Sequence, residues 1–262
     1  MPKPQIGIVV PTLNSAVTLP WTLCSLRSQR EVSYEIIVAD SGSEDETLNV
    51  CRSWGIPTIY VPPGNMYRAI NEGLRQIDSE WVTYLNSDDM VYPLSYARLV
   101  ARGEEEGAFL VYGDCDYVDH EGRFLFTVKS PSPSRVPGMV RLSPRFGGRI
   151  GFAQSAAIFR RSTFEELGGF DERYAIIADY DFFFRLVVSD RTITKLRRPS
   201  VAAFRLHPSQ LSRRRASNLN QELASFRKTL KIRAMPLDVI SILSWRVRNS
   251  PTYASRLLRL RP

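Results

Sequence analysis

The chain is 262 residues long, 44% hydrophobic and 24% charged, which excludes disordered, collagen-like and disulfide-scaffold classes and fits one large domain or a domain with an appendage. The net charge of +8 is unevenly held. Residues 1–190 carry 18 Lys and Arg against 25 Asp and Glu (−7), whereas residues 191–262 carry 17 against 2 (+15), so a mildly acidic body ends in a strongly basic segment.

Along the body, short apolar runs alternate with helical patterns. Strands are predicted at Ile6–Val10, Glu35–Ala39, Thr58–Val61, Trp81–Leu85 and Phe109–Tyr112. Helices are predicted between them at Ala16–Ser28, Glu44–Trp54, Met66–Ile77 and Leu94–Glu105. This alternation predicts an α/β layer fold with a mainly parallel sheet. The pattern then changes. Asp116–Asp119 and Arg123–Val128 flank Glu121-Gly122 as a hairpin. Residues 130–150 hold four prolines among Ser, Gly and Arg and read as a long loop of the kind that is functional or mobile. Ala156–Arg160 is strand-like, and a short helix follows with Ser162 and Glu165 as a capping box, ending at Gly168-Gly169. Asp179–Val188 is helical and Thr192–Leu206 mostly extended. Trp21, Trp54 and Trp81 are expected in the core, and His120 at the surface.

Cys24, Cys51 and Cys115 are odd in number and widely spaced, with no CxxC pair, which argues against disulfides or a thiolate zinc site and for a reducing compartment. The apolar run Ile6 to Val10 is too short for a signal-peptide core, and no stretch approaches the roughly 18 apolar residues of a membrane span. The expected location is cytoplasmic, with attachment at the inner face of the plasma membrane left open.

Three polar loops leave the carboxyl ends of predicted parallel strands: Pro11-Thr12-Leu13-Asn14-Ser15, Asp40-Ser41-Gly42-Ser43 and Asn86-Ser87-Asp88-Asp89. That edge is where open α/β sheets bind ligands. The sequence has neither GxGxxG nor GxxxxGK[ST], so a bound nucleotide would need another way to neutralise its phosphates. Paired carboxylates at Asp88 and Asp89 suit a hard divalent cation such as Mg2+ or Mn2+. Taken alone, Ser-Asp-Asp before a helix reads rather as an N-cap.

Together these segments resemble inverting glycosyltransferases of family 2, which have the GT-A fold. Met66-Tyr67-Arg68-Ala69-Ile70-Asn71-Glu72-Gly73 is similar to the family's helix beside the sugar nucleotide, and Gly168-Gly169-Phe170-Asp171-Glu172 to its Gly-Gly-Phe-Asp-Glu turn. Ala178-Asp179-Tyr180-Asp181-Phe182 resembles its Glu-Asp-Tyr-Asp segment, and Phe204-Arg205-Leu206-His207 its Tyr-Arg-x-His. The resemblance spans about residues 5–212. It implies a Rossmann-like, mainly parallel central sheet with helices on both faces and a catalytic domain over 1–212 (nucleotide-sugar half 1–112, acceptor half 113–212). The shift in composition after Ser212 sets residues 213–262 apart as a basic, helical C-terminal extension.

The implied activity is transfer of a sugar from a nucleotide-sugar, a UDP-sugar foremost, to a glycan or lipid-linked glycan in polysaccharide or glycoconjugate synthesis. By the same resemblance, Pro11, Thr12, Asn14 and Asp40 would hold the nucleoside, with Ser41 and Gly42 as the pocket floor. Arg68 and Asn71 would face the diphosphate or donor sugar. Asn86-Ser87-Asp88 stands at the family's Asp-x-Asp, so Asp88 would ligate Mn2+ or Mg2+, with His207 and the diphosphate as further ligands. Asn86 brings no charge, and Asp179 matches the catalytic base while Ala178 replaces the usual Glu. The base assignment therefore rests on Asp179 alone, with Asp181 as the alternative candidate. Gln154 and Tyr180 are acceptor-side candidates, although Tyr180, Phe182, Phe183 and Phe184 also read as core. The bland reading of Asp179 is a carboxylate favoured by a helix N-terminus.

Residues 213–262 begin with Arg213-Arg214-Arg215 and continue as helical segments near 216–233, 237–248 and 251–260. Basic residues mixed with Trp, Tyr and Leu suit an anionic membrane surface, and the competing reading is a helical extension packed on the body or forming a homo-oligomer. Three other readings remain. The fold could serve a nucleotidyltransferase, but the usual basic glycine-rich N-terminal loop is missing. The basic end could bind nucleic acid, although no RNP, helix-turn-helix or zinc motif supports that. Asn86 and Ala178 also allow a degenerate protein that binds sugar nucleotide without catalysis.

Overall fold

The computed structural model describes residues 3–133, 140–141, 149–207 and 216–230, with Leu243, Val247, Asn249 and Ser250. Alternating strands and helices run β1 (Ile6–Thr12), α1 (Leu19–Arg27), β2 (Tyr34–Asp40), α2 (Thr47–Ser53), β3 (Thr58–Tyr60), α3 (Met66–Gln76), β4 (Trp81–Tyr84), β5 (Met90–Val91), α4 (Ser95–Glu106) and β6 (Leu110–Tyr112). Then come β7 (Cys115–Val118), β8 (Phe124–Val128), β9 (Val140–Arg141), β10 (Arg149–Ile150), β11 (Ala157–Arg160), α5 (Arg161–Glu166), α6 (Ala178–Val188), β12 (Ile193–Lys195) and β13 (Ala202–Arg205). A final helix spans Ala216–Leu230.

The main sheet has seven strands in the order β12-β6-β11-β4-β1-β2-β3. β1 pairs in parallel with both β2 and β4, and β2 with β3. The side chains of β1 alternate between the two faces, as a pleated strand requires. Ile6, Ile8 and Val10 enter a core with Leu19, Leu23 and Leu26 of α1 and Leu99 of α4, whereas Val9 enters the opposite core with Ile70 and Leu74 of α3 and Phe182 and Phe183 of α6. Both faces are therefore covered by helices. Pro20 sits in the first turn of α1, where its missing N–H costs nothing. α3 comes so close to β1 that a Cβ on Gly73 would lie 2.7 Å from Val9, so only glycine fits that contact.

Several features depart from the expectations. β11 lies antiparallel between β4 and β6, so the parallel pairing of β4, β1, β2 and β3 is interrupted there, and it resumes only where β12 pairs in parallel with β6 at the far edge. A second sheet, β5-β13-β7-β8, contains the expected hairpin, with β7 antiparallel to β8, but also pairs β7 in parallel with β13. The capping box does not form. α5 starts one residue earlier, its N-cap is Arg160 without a side-chain bond, and Glu165 instead accepts from Arg161 at 2.8 Å. Trp81 is buried, but Trp21 is 60% exposed, because it lies on the face of α1 turned away from Leu19, Leu23 and Leu26. All three cysteines are free. Most of the expected 130–150 loop and the helices near 237–248 and 251–260 lie outside the described residues. Among the described residues no helix is long and apolar enough to cross a membrane.

Candidate active site

β1, β2 and β4 are adjacent and parallel, so the three polar loops emerge at one edge of the sheet. They are stitched to one another. Asn14 has a left-handed backbone (φ +52°), which an asparagine adopts more readily than most residues. Its Oδ1 accepts from the Glu44 N–H at 2.8 Å, and its own N–H donates to Ser43 Oγ at 2.8 Å. Ser15 and Ser87 share a hydroxyl hydrogen bond of 2.8 Å that ties the first loop to the third.

Asp40 is the internal anchor of this arrangement rather than an open ligand contact. It is 1% exposed, and its carboxylate accepts from Thr12 Oγ1, the Gly42 and Ser43 N–H groups and Ser43 Oγ. With four bonds made, its oxygens are saturated, and it can shape a pocket only through the Ser41-Gly42-Ser43 backbone. Pro11, Thr12 and Ser41 are also buried, whereas Asn14 and Gly42 are exposed. Asn71, expected beside a diphosphate, is likewise turned inward. Its amide donates to Phe170 O (2.9 Å) and Glu172 Oε1 (3.0 Å) and accepts from the Phe170 N–H (3.0 Å). It pins the Gly168–Glu172 turn to α3, and Gly169 (φ +75°) is required there because a Cβ would come within 2.9 Å of Asn71 Oδ1. Arg68 is exposed and paired with Glu172 at 3.1 Å.

At the third loop Asp88 Oδ2 lies 2.8 Å from His207 Nε2, joining the end of β4 to the residues just past β13. Both side chains are largely buried, and the Asn86 Oδ1 atom is buried without a protein partner. One carboxylate oxygen and one imidazole nitrogen make a two-point site that fits a divalent cation completed by phosphate oxygens. Among the described residues no cluster of three His, Cys, Asp or Glu side chains supplies a full protein cage. Asp89 is a different kind of group. It is fully buried, accepts from the Arg205 N–H at 3.0 Å, and is held well above the usual carboxylate range by burial and then by the Asp88 charge. Arg205, also buried, donates to the Asp88 and His120 carbonyls.

The opposite wall is the N-terminus of α6. Asp179 is half-buried, and its Oδ1 accepts from Tyr67 Oη (2.9 Å) and the Tyr180 N–H (2.7 Å). Burial pushes its pKa up to about 6, with the Tyr67 bond opposing that rise. Burial also keeps Tyr67 protonated, as does the Asp179 charge, so this hydroxyl remains a donor. Tyr67 belongs to α3, whose N-cap Asn65 donates to the Glu172 and Tyr174 carbonyls at 2.7 and 3.2 Å. Tyr84, at the end of β4, meets Tyr67 edge to face with centroids 6.5 Å apart, and its carbonyl accepts from Gln154 Nε2 at 2.6 Å. Burial holds the Tyr84 hydroxyl protonated, and Asp179 and Asp89 both lie close enough to act on it in the same direction. Tyr180, expected near an acceptor, instead packs under Phe226 of the final helix, 5% exposed. Ala178 is fully buried.

Sequence reasoning missed Tyr67 as a partner of Asp179, although it lay within a quoted motif. It also missed Glu222, which touches the loop before Asp179 and carries no local signal.

Residues 7–168 match the family model of Glycosyl transferase family 2. That is more than half of the chain, and the protein belongs to this family of glycosyltransferases. Among curated relatives, a PGL/p-HBAD biosynthesis glycosyltransferase of Mycobacterium bovis is 28% identical over 218 residues, covering 78% of each chain. Among solved structures, S. aureus TarS (residues 1–349) in complex with UDP-GlcNAc aligns with a TM-score of 0.64 at 19% identity, over 79% of this chain and 60% of that one. Mannosyltransferase PcManGT from Pyrobaculum calidifontis, in complex with GDP-Man and Mn2+, aligns at 0.63 and 18% identity, over 98% and 74%. These likenesses establish the GT-A fold.

Proposed function

We propose that the chain transfers a sugar from a nucleotide-sugar, foremost a UDP-sugar, to a hydroxyl of a glycan or lipid-linked glycan with inversion at the anomeric carbon. The observation that carries this reading is Asp179, a half-buried carboxylate with its pKa raised to about 6, close enough to Tyr84 at the end of β4 for its charge to act on that residue's hydroxyl. A base of that strength is ionised at neutral pH yet can hold a proton as the new bond forms. Asp179 takes the acceptor hydroxyl proton, the acceptor oxygen bonds to the anomeric carbon, and the bond to the diphosphate breaks, its electron pair leaving with the nucleoside diphosphate. A divalent cation, Mn2+ or Mg2+, held by Asp88 and His207 would offset charge on that leaving group. Exposed Arg68 would add a second positive charge once released from Glu172. Asn14, Gly42, Asn86 and Ser87 form the nucleoside side, backed by the buried Pro11, Thr12, Asp40 and Ser41.

The Mn2+ in the PcManGT complex and the UDP-GlcNAc in the TarS complex support this choice of ligands. Residues 1–212 would form the catalytic unit. The basic residues beyond 212 would bring it to an anionic membrane where a lipid-linked acceptor resides. A thermal-shift panel of UDP-, GDP- and dTDP-sugars with Mn2+ or Mg2+ identifies the donor. Asp179→Asn should then abolish transfer while donor binding persists, and normal transfer by that variant would remove the base assignment.

A further inference from the structure

The final helix, Ala216–Leu230, lies against α6 and the loop that precedes it. Phe226 is buried against Tyr174, Tyr180 and Phe184, with ring centroids 6.1, 5.2 and 5.6 Å away, and Leu219 and Leu223 pack beside it. One turn before Phe226, Glu222 turns its carboxylate toward the backbone of residues 175–177. Its Oε1 accepts from the Ala175 N–H at 2.9 Å, and its Oε2 from the Ile176 and Ile177 N–H groups at 3.0 and 3.2 Å.

These donors immediately precede α6, whose N-cap, Ile177, provides no side-chain bond. The amide groups at a helix start need partners from elsewhere, and a carboxylate there is favoured by the helix dipole. Glu222 supplies that partner from a segment 45–47 residues away. The braced loop also carries the Ile176 carbonyl, which lies 2.9 Å from Tyr67 Oη and shares that hydroxyl's single hydrogen with Asp179 Oδ1, also at 2.9 Å.

We propose that Glu222 is a positioning residue for the transfer reaction: by clamping the backbone of Ala175–Ile177 it fixes the Ile176–Tyr67–Asp179 chain and so holds the Asp179 carboxylate in its orientation. This rests on the reading of Asp179 as the base. It makes the start of the basic extension a working part of the active site, whatever the rest of that extension contacts. The titratable groups facing Asp179 are Tyr67 from α3 and Tyr84 from β4, both kept protonated by burial. Glu222 acts on Asp179 through the backbone. When the clamp is lost, the Tyr67 bond loosens, which alone would raise the Asp179 pKa, but water also reaches the corner; burial is the larger influence, so the base moves from about 6 toward the ordinary carboxylate value.

The test uses the full chain, with the donor selected by the thermal-shift panel and nucleotide release as the readout, for wild type, Glu222→Ala and Glu222→Gln. Glu222→Ala should lower kcat about tenfold or more with donor KM within about twofold, an effect of the size that small misplacements of reacting groups produce. The acidic limb of its kcat/KM profile should move to lower pH, and amide exchange over 175–180 should quicken. Glu222→Gln has nearly the same shape and keeps one acceptor oxygen, so it should fall between wild type and Ala, and it carries the test if the alanine variant folds poorly. Wild-type kcat and acidic limb in both variants would overturn the inference. So would a fall in kcat matched by a rise in donor KM with the limb unmoved, the mark of a merely structural residue. Asp179→Asn in the same assay separates the two claims: normal turnover there removes the base reading, whereas a dead Asp179→Asn beside an unaffected Glu222→Ala removes only the clamp.

Discussion

The two walls of the site are built by different means. The proposed nucleotide-side wall consists of loops at the ends of β1, β2 and β4, and it is held by short polar side chains bonding to one another and to backbone of the same three loops. Asp40 closes its own loop, Asn14 and Ser43 cross to a neighbouring loop, and Ser15 meets Ser87. The base wall has no such self-sufficiency. Asp179 is oriented by Tyr67 on α3, by a turn pinned through Asn71, by the aromatic packing of Tyr84, Phe170 and Phe182, and by Glu222 from the final helix. A binding surface can thus be made by loop chemistry alone, whereas a carboxylate with a raised pKa has to be enclosed. Enclosure needs partners from many parts of the chain, because loss of water is what raises the pKa of Asp179 against the two hydrogen bonds its carboxylate accepts.

The contrast yields tests of graded size. Asp179→Asn should produce the largest effect, a fall in turnover of about 10²–10⁴-fold, the usual worth of a positioned general base. Donor affinity by calorimetry should stay near wild type, since the nucleotide wall does not depend on the base.

Asn71→Leu strikes the scaffold of the base wall. It leaves the buried Phe170 N–H and C=O without partners, and denaturant unfolding should show a loss of about 2–3 kcal/mol. If stability were unchanged, the turn would not depend on α3.

Asp88→Ala probes the nucleotide wall from the metal side. Donor affinity measured with Mn2+ should weaken about tenfold, the scale of losing one ligating group, while affinity in EDTA should not change. Equal binding of both proteins with and without EDTA would remove the cation from that wall.

Tyr67→Phe should produce a smaller and directional change. The hydroxyl favours the ionised form of Asp179, so its loss should raise the base pKa above about 6. In wild type, kcat/KM should climb as pH rises through about 6 and Asp179 loses its proton. In the variant the climb should come at higher pH, opposite to the shift expected for Glu222→Ala. Trp21→Ala should be nearly silent, within about 0.5 kcal/mol in thermal unfolding, because the ring is 60% exposed on the outer face of α1.

Much of this molecule was legible before any coordinates. The alternation of apolar runs with amphipathic segments predicted every strand and helix from β1 to α4 except the two-residue β5. The three polar loops fell at strand ends, where α/β sheets bind ligands. The order of the motifs pointed to the family, and Asp88 with His207 and Asp179 with α6 were singled out from the sequence.

What stayed hidden depended on partners distant in sequence. Asp40 and Asn71 read as ligand contacts because a polar residue in a motif shows its hydrogen-bonding capacity, not whether that capacity is already used. Their bonds to Thr12 and Phe170 span 28 and 99 residues. The outward turn of Trp21, the antiparallel insertion of β11 and the clamp of Glu222 were equally silent. The sequence by itself determined the period of the elements, the place of the loops and the family. The tertiary structure alone decided which polar side chains are saturated, which carboxylate is shielded from water and what braces it. Propensity and patterning act over one or two turns of chain, but burial and hydrogen-bond satisfaction belong to the whole packed molecule.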